Sequence, residues 1–137
     1  LKILEQDLRK LIKMKPESAH AYNALGYSLA ERGSQLPEAL KLIKRAVELS
    51  PEDPYIMDSL GWVHYRMGNL VEGLNYLNLA FAARPDAEIA AHLGEVLWMK
   101  GAKEDAQNIW RFALEKDPDN EVLLETLQRL IKKKAVD

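Results

Sequence analysis

The stretch LGWVHYRMG, Leu60 to Gly68, gathers a Trp, a His, a Tyr and an Arg between two glycines. Those side chains could ligate a metal, shuttle protons or grip a ligand. Metal ligation is poorly served. His20, His64 and His92 stand 44 and 28 residues apart, none in an H-E-x-x-H or comparable ligand spacing. With no cysteine in the chain, a thiolate site and a disulfide framework are both out. Nucleophilic catalysis has no better footing. The few serines lack a His/Asp constellation, and there is no G-x-S-x-G elbow or phosphate-binding loop. The carboxylates of Glu52-Asp53 and of Asp117 and Asp119 fall in turns, where helix capping is the simpler role. We therefore expect no enzyme activity, no metal and no cofactor.

The elements that carry these residues repeat. Leu25-Gly26, Leu60-Gly61 and Leu93-Gly94 are each followed by six residues and then Gly33, Gly68 and Gly101. Pro16, Pro51, Pro85 and Pro118 recur at spacings of 35, 34 and 33, in step with Ala46, Ala80 and Ala113. Three markers in register mean an internal repeat of two helices per unit. In the first unit Tyr22, Leu25, Gly26 and Leu29 share one helical face, and Leu36, Ala39, Leu40, Ile43, Ala46 and Val47 another. Gly33 ends the first helix, and Ser50-Pro51 stops the second. Asp53 before Pro54 is a cap followed by proline at the first helical position, and Asn69 with Glu72 reads as close to a capping box.

Glycine inside a helix costs about 1 kcal/mol relative to alanine. Gly26, Gly61 and Gly94 are therefore expected at close helix crossings, with Ala46, Ala80 and Ala113 as the small partners opposite. Residues 1–14 form an amphipathic helix with Leu4, Leu8, Leu11 and Ile12 apolar, and residues 121–134 form a last one ending in Lys132-Lys133-Lys134. That basic run suits a solvated helix C-terminus. The chain opens on Leu1 rather than Met, which fits a fragment or processed product whose first helix is the second half of a repeat.

The net charge of −2 argues against a nucleic-acid binder, and no apolar run approaches the roughly 20 residues of a membrane span. No membrane insertion of this segment and no signal peptide are expected.

The period and the pattern W-x-x-L-G-x-x-Y, A-x-x-x-F, P resemble the tetratricopeptide repeat family. The Leu-Gly pair and the Pro are kept in every unit. The first Trp reads Tyr22, Met57 and Ala90, and the Tyr reads Leu29, His64 and Leu97. The Ala reads Ala39, Gly73 and Ala106, and the Phe reads Ile43, Leu77 and Trp110. The first unit carries one extra residue in its Gly33–Pro37 turn. The resemblance implies an all-α solenoid, a right-handed superhelix of about eight antiparallel helices in one domain, 1–137. It divides into a second helix of a truncated repeat (1–18), three repeats (19–53, 54–86, 87–120) and a capping helix (121–137). It also implies a non-catalytic scaffold that holds a peptide or protein segment in its concave groove. An enzyme site formed between repeats, or a homo-oligomeric structural module, are the alternatives.

In the family's geometry His64 replaces a packing aromatic, and His20 and His92 lie near the inner surface as polar groove residues. The resemblance places Asn23, Tyr27, Tyr55, Asp58, Trp62, Tyr65, Arg66 and Glu95 on the partner-binding groove. Tyr27, Tyr55, Trp62, Tyr65 and Arg66 would form one connected exposed surface, with Asp58 and Glu95 as polar rim. The Lys/Asn/Arg clamp that some members use for C-terminal carboxylates reads Asn23, Tyr27 and Asp58 here, which disfavours such ligands. The segments ALGYSLAERGSQLPEALKLIKRA, DSLGWVHYRMGNLVEGLNYL and AEIAAHLGEVLWMKGAKEDAQNIW also resemble the C-terminal repeats of bacterial lipoproteins of this family, some of them adaptors for a periplasmic tail-specific protease. That resemblance implies a bacterial adaptor on the periplasmic side of the outer membrane. The unpaired helix 1–14 is expected to support weak self-association through Leu4, Leu8 and Leu11.

Overall fold

The computed structural model describes residues 2–132. Among them the chain forms eight α-helices and a closing π-helical turn, with no strand. The order is α1 (Lys2–Met14), α2 (Ala19–Arg32), α3 (Leu36–Leu49), α4 (Pro54–Arg66), α5 (Leu70–Ala83), α6 (Ala87–Lys100), α7 (Lys103–Lys116), α8 (Glu121–Leu127) and the π turn Gln128–Lys132. The all-α solenoid expected from the repeat is the observed architecture. Lys133 and Lys134 of the basic run lie outside the described residues.

Helix starts follow side-chain chemistry. The side chains of Ser18, Asp53, Asp86 and Asn120 accept hydrogen bonds from the backbone N–H groups of Ala21, Tyr55, Ile89 and Leu123 at 2.8–3.2 Å. These four caps open α2, α4, α6 and α8, the inner helices. The capping box expected at Asn69 does not form, for its side chain makes no capping bond. Gly33 and Gly101 close α2 and α6 with φ of 72° and 100°, values that a Cβ disfavours. The extra residue in the first unit's turn is absorbed at Gln35, whose φ is 52°.

The outer helices α3, α5 and α7 bury one stripe each: Ala39, Ile43 and Ala46; Gly73, Leu77 and Ala80; Ala106, Trp110 and Ala113. The inner helices are enclosed by these and by each other, so α6 is buried at Ala87 and at every residue from Ile89 to Val96. A Cβ on Gly26 would lie 2.6 Å from Ile43 Cγ1 and 3.0 Å from the Ala39 carbonyl oxygen. On Gly61 it would lie 2.8 Å from Leu77 Cγ and 3.0 Å from the Gly73 carbonyl oxygen, and on Gly94 it would overlap the Trp110 indole. The crossings are thus as close as expected, but the facing residues are Ala39/Ile43, Gly73/Leu77 and Trp110. Ala46, Ala80 and Ala113 sit one helical turn or more farther along, buried but not opposite the glycines. In α1, Leu8 is buried against the core, and Leu4, half exposed, faces outward with Met14. Ion pairs Arg32–Glu5 and Arg9–Glu38 tie α1 to α2 and α3.

Candidate functional site on the inner helices

Counting from each cap aligns the inner helices. Nine residues past Ser18, Asp53, Asp86 and Asn120 stand Tyr27, Trp62, Glu95 and Arg129, and five past them Asn23, Asp58, Ala91 and Glu125. Apart from Ala91, which packs with Trp110 and Ala106 of α7, these side chains lie along the inner face of the helices. There they build a connected polar and aromatic layer.

Its centre is His92 on α6, buried with Asp58 of α4. His92 Nδ1 lies 2.9 and 3.1 Å from the two Asp58 carboxylate oxygens, and Nε2 lies 3.2 Å from the Tyr27 hydroxyl of α2. That hydroxyl donates its proton to Glu31 at 2.7 Å, so its oxygen is left to accept from Nε2. Both ring nitrogens are then donors, which is the imidazolium form. Burial works against that charge, but the Asp58 carboxylate outweighs it through attraction and hydrogen bonding, and the His92 pKa stands above its ordinary value. Burial pushes the Asp58 carboxyl up, against the pull of His92. Tyr27 is pushed far up by burial and by Glu31, so it stays a neutral donor.

Trp62 stacks on the imidazole with ring centroids 4.3 Å apart and planes at 29°, and lies 5.0 Å from the Tyr65 ring. The Tyr65 hydroxyl donates to Glu95 at 2.9 Å, and Arg129 reaches the same carboxylate with both terminal nitrogens. Burial and the Glu95 charge raise the Tyr65 pKa well above the phenolic range. At the rim, the Tyr55 hydroxyl donates to Asp86 and accepts from Arg84 Nε at 2.8 Å.

Three residues expected on an open groove are therefore interior. Trp62, Asp58 and Glu95 are only 3%, 5% and 3% exposed, because α2, α4 and α6 curve close enough for Tyr27 and His92 to bridge two repeats across them. The expected continuous surface of Tyr27, Tyr55, Trp62, Tyr65 and Arg66 is broken in two further ways. Arg66 turns its Nε and Nη2 onto the carbonyls of Ala30 and Glu31, stapling the end of α2 to α4. Tyr55 belongs to the separate Arg84–Asp86 cluster. Tyr27 and Tyr65 stay half-buried beside Trp62. His92 is a buried ion-pair partner rather than a groove residue, whereas His20 is exposed. His64 stacks on Tyr76 at 5.5 Å, as a packing residue does.

Sequence reasoning missed Arg129 and Ser59. Arg129 was findable, since it occupies the same register as Glu95 one cap later. Ser59 helps line a pocket of about 140 Å³ between α2, α4 and α6, along with Asn23, Tyr27, Asp58, Glu88 and His92. A second, apolar groove of about 670 Å³ lies between α7 and α8, lined chiefly by Trp110, Leu114, Leu124, Leu127 and Ile131.

Chemically, the layer can hold charge and pass a proton along Asp58, His92, Tyr27 and Glu31. The Ser59 hydroxyl is turned to the Tyr55 carbonyl at 3.1 Å rather than to His92. Among the described residues no group of three or more His, Asp or Glu side chains is arranged to hold a metal ion. No helix there is long and apolar enough to cross a membrane.

A profile of the tetratricopeptide repeat matches residues 5–54 and 59–121. A TPR repeat-containing protein of Pseudomonas aeruginosa is 50% identical over 92 residues, which is 67% of this chain and 16% of the relative. The chain thus spans a small part of that protein's length. Among solved structures, a thermophilic TPR protein of Thermus thermophilus superposes with a TM-score of 0.78 at 21% identity, over 93% of this chain and 71% of that one. The first TPR domain of Spaghetti, bound to the HSP90 peptide SRMEEVD, superposes with a TM-score of 0.69 at 18% identity, over 85% and 95%. MamA gives 0.68 at 17% identity, over 96% and 77%. At these identities the likeness is one of fold.

Proposed function

The chain belongs to the tetratricopeptide repeat family, and on that premise we propose that it is a non-catalytic interaction module holding an extended protein segment along the inner face of α2, α4 and α6. The observation that carries this reading is the polar pocket between those three helices, opening beside Tyr27 and the exposed Tyr55. Half-buried tyrosines over a rigid base suit recognition, since each offers a large apolar area and a polar tip with little freedom to lose. The base is rigid because His92, Asp58 and Trp62 lock the helices from below. A neighbour of the same fold holds a peptide, which supports the class of partner. The binding residues in this reading are Asn23, Tyr27, Tyr55 and Tyr65, with Asp58, Trp62 and Glu95 as their support and Arg66 as a structural staple.

The test is hydrogen exchange on the chain with segments selected from a displayed peptide library. Protection should appear on residues 19–32, 54–66 and 87–100. Protection confined to the outer helices or to the groove between α7 and α8 would overturn the reading.

Within it, the resemblance to bacterial lipoprotein repeats supports an adaptor role in an envelope protease complex. The full-length protein, purified from the envelope under mild cross-linking, should then carry a periplasmic protease. Recovery of the full-length protein solely from the cytosol would remove that role and leave the interaction module intact.

A further inference from the structure

Apart from the Asn23 amide N–H2 group, the pocket between α2, α4 and α6 has spent its donors and kept its acceptors. The Ser59 hydroxyl donates to the Tyr55 carbonyl, the Tyr27 hydroxyl to Glu31, and the two imidazole N–H groups of His92 to Asp58 and Tyr27. Against these, Asn23 Oδ1 is shut off from solvent with no hydrogen-bond partner. A buried oxygen in that state costs free energy until a donor reaches it. The Asp58 carboxylate receives only the imidazole. Glu88, exposed at the pocket edge two residues past the Asp86 cap, makes no ion pair among the described residues.

The local field has one sign. Asp58, Asp86, Glu88 and Glu31 surround the pocket, and His92 and Arg84 offset only part of that charge. Desolvation is the main reason that the Glu88 carboxyl stands above its usual range; His92 pulls it down, while Asp86 and Asp58 push it up. An ammonium brings three donors and no acceptor, and a guanidinium five. The volume of about 140 Å³ is well below that of a site for a drug-sized ligand and suits a single side-chain head group.

We propose that this pocket receives a lysine or arginine side chain of the bound segment, with Glu88 pairing at its mouth and the Asn23 side chain turning its unpaired Oδ1 to the head group. The inference rests on the reading of the inner face as a segment-binding surface, and it gives that surface a preference for basic partners. An acidic tail meets Glu88 and Asp58 instead and is rejected.

Three acetylated, amidated heptapeptides of alanine and serine, with Arg, Lys or Glu at the centre, test it by NMR titration of the intact chain. The Arg and Lys peptides should shift the amides of Asn23, Ser59 and Glu88, and their relative affinities say which head group fits better. The Glu peptide should leave these amides unmoved. Glu88→Gln should weaken the basic peptides about tenfold, on the scale of a hydrogen bond to a charged group, and Glu88→Lys should abolish binding. Both variants change an exposed residue, so folding is preserved, which circular dichroism checks. Added salt should weaken the wild-type interaction. Equal shifts with the Glu peptide, no shifts at millimolar Arg or Lys peptide, or indifference to both Glu88 changes would each overturn the proposal. Should library segments protect the inner face yet carry no basic residue, this inference falls and the segment-binding reading stands. Should basic peptides fill the pocket while no segment protects the inner face, the reverse holds.

Discussion

At the three hairpin crossings one solution recurs, and on the inner face none does. Gly26, Gly61 and Gly94 each stand eight residues past a cap and each meets an outer helix at a distance no Cβ would survive. One residue farther along, the register holds Tyr27, Trp62, Glu95 and Arg129, four unlike side chains with four different sets of partners. Backbone approach admits one residue type, so it repeats. A surface built from side chains is filled by whatever its neighbours complement, so it individuates the repeat. The register of Gly26, Gly61 and Gly94 holds Gln128 in the last inner element, where a groove lies open between α7 and α8.

The sharpest way to break this contrast is Trp62→Ala. Buried and stacked on His92, Trp62 should cost about 3–5 kcal/mol of stability when truncated, at least as much as Leu60→Ala at 2–5. Denaturant unfolding measures both. A Trp62 loss no larger than that of an exposed change would return it to the open surface. The crossings are tested by Gly94→Ala. The new methyl group collides with Trp110, a large ring with little room to move, and the net loss should be about 1–3 kcal/mol. In a Trp110→Leu background, which copies the Gly61–Leu77 crossing, Gly94→Ala should cost less, and a double-mutant cycle gives the difference. Equal costs in the two backgrounds would mean that the indole is not what demands the glycine.

The inner ion pair is tested by pH. His92 and Asp58 both hold a proton more tightly folded than unfolded, so their contribution falls as pH rises. The His92 share is complete below the unfolded histidine value near 6.5 and is lost as pH climbs through its raised folded value. His64, whose pKa is lowered by burial, works the other way, losing stability as pH falls below about 6.5. The difference in melting temperature between wild type and His92→Gln should therefore shrink from pH 6 to pH 9. A constant difference would show that the imidazole holds its proton no more tightly folded than unfolded. The smallest effect separates two caps that look alike in sequence. Asn120→Ala should cost about 1 kcal/mol and Asn69→Ala only a few tenths, because only Asn120 caps through its side chain.

Much of this molecule was legible before any coordinates. The helix end at Gly33, the cap at Asp53 and the two-helix period all rest on local chemistry within a few residues of chain; the caps at Ser18, Asp86 and Asn120 rest on the same chemistry and went unread. The need for close crossings at Gly26, Gly61 and Gly94 was equally local and was read. The facing partners of those glycines were misjudged, since Ala46, Ala80 and Ala113 are small and in step yet lie along the outer helix from the contact. Smallness in sequence marks burial, but which residue it faces depends on the rotation and slide of two helices.

The inner face was the least readable part. Tyr27, Asp58, Trp62, Tyr65 and Glu95 do meet in one layer through His92, but Tyr55 and Arg66 do not join it, and the exposure of Asp58, Trp62 and Glu95 was misjudged. Trp62, Asp58 and Glu95 are buried because α2, α4 and α6 curve until Tyr27 reaches His92, 65 residues away in the chain. His92 finds its counterion at Asp58 for the same reason. The sequence by itself determined the repeat and its helices, since those depend on interactions that span one turn of helix or one tight crossing. Only the tertiary structure decided which polar groups pair and which stay unpaired, because curvature accumulates over three repeats and sets distances that no single repeat encodes.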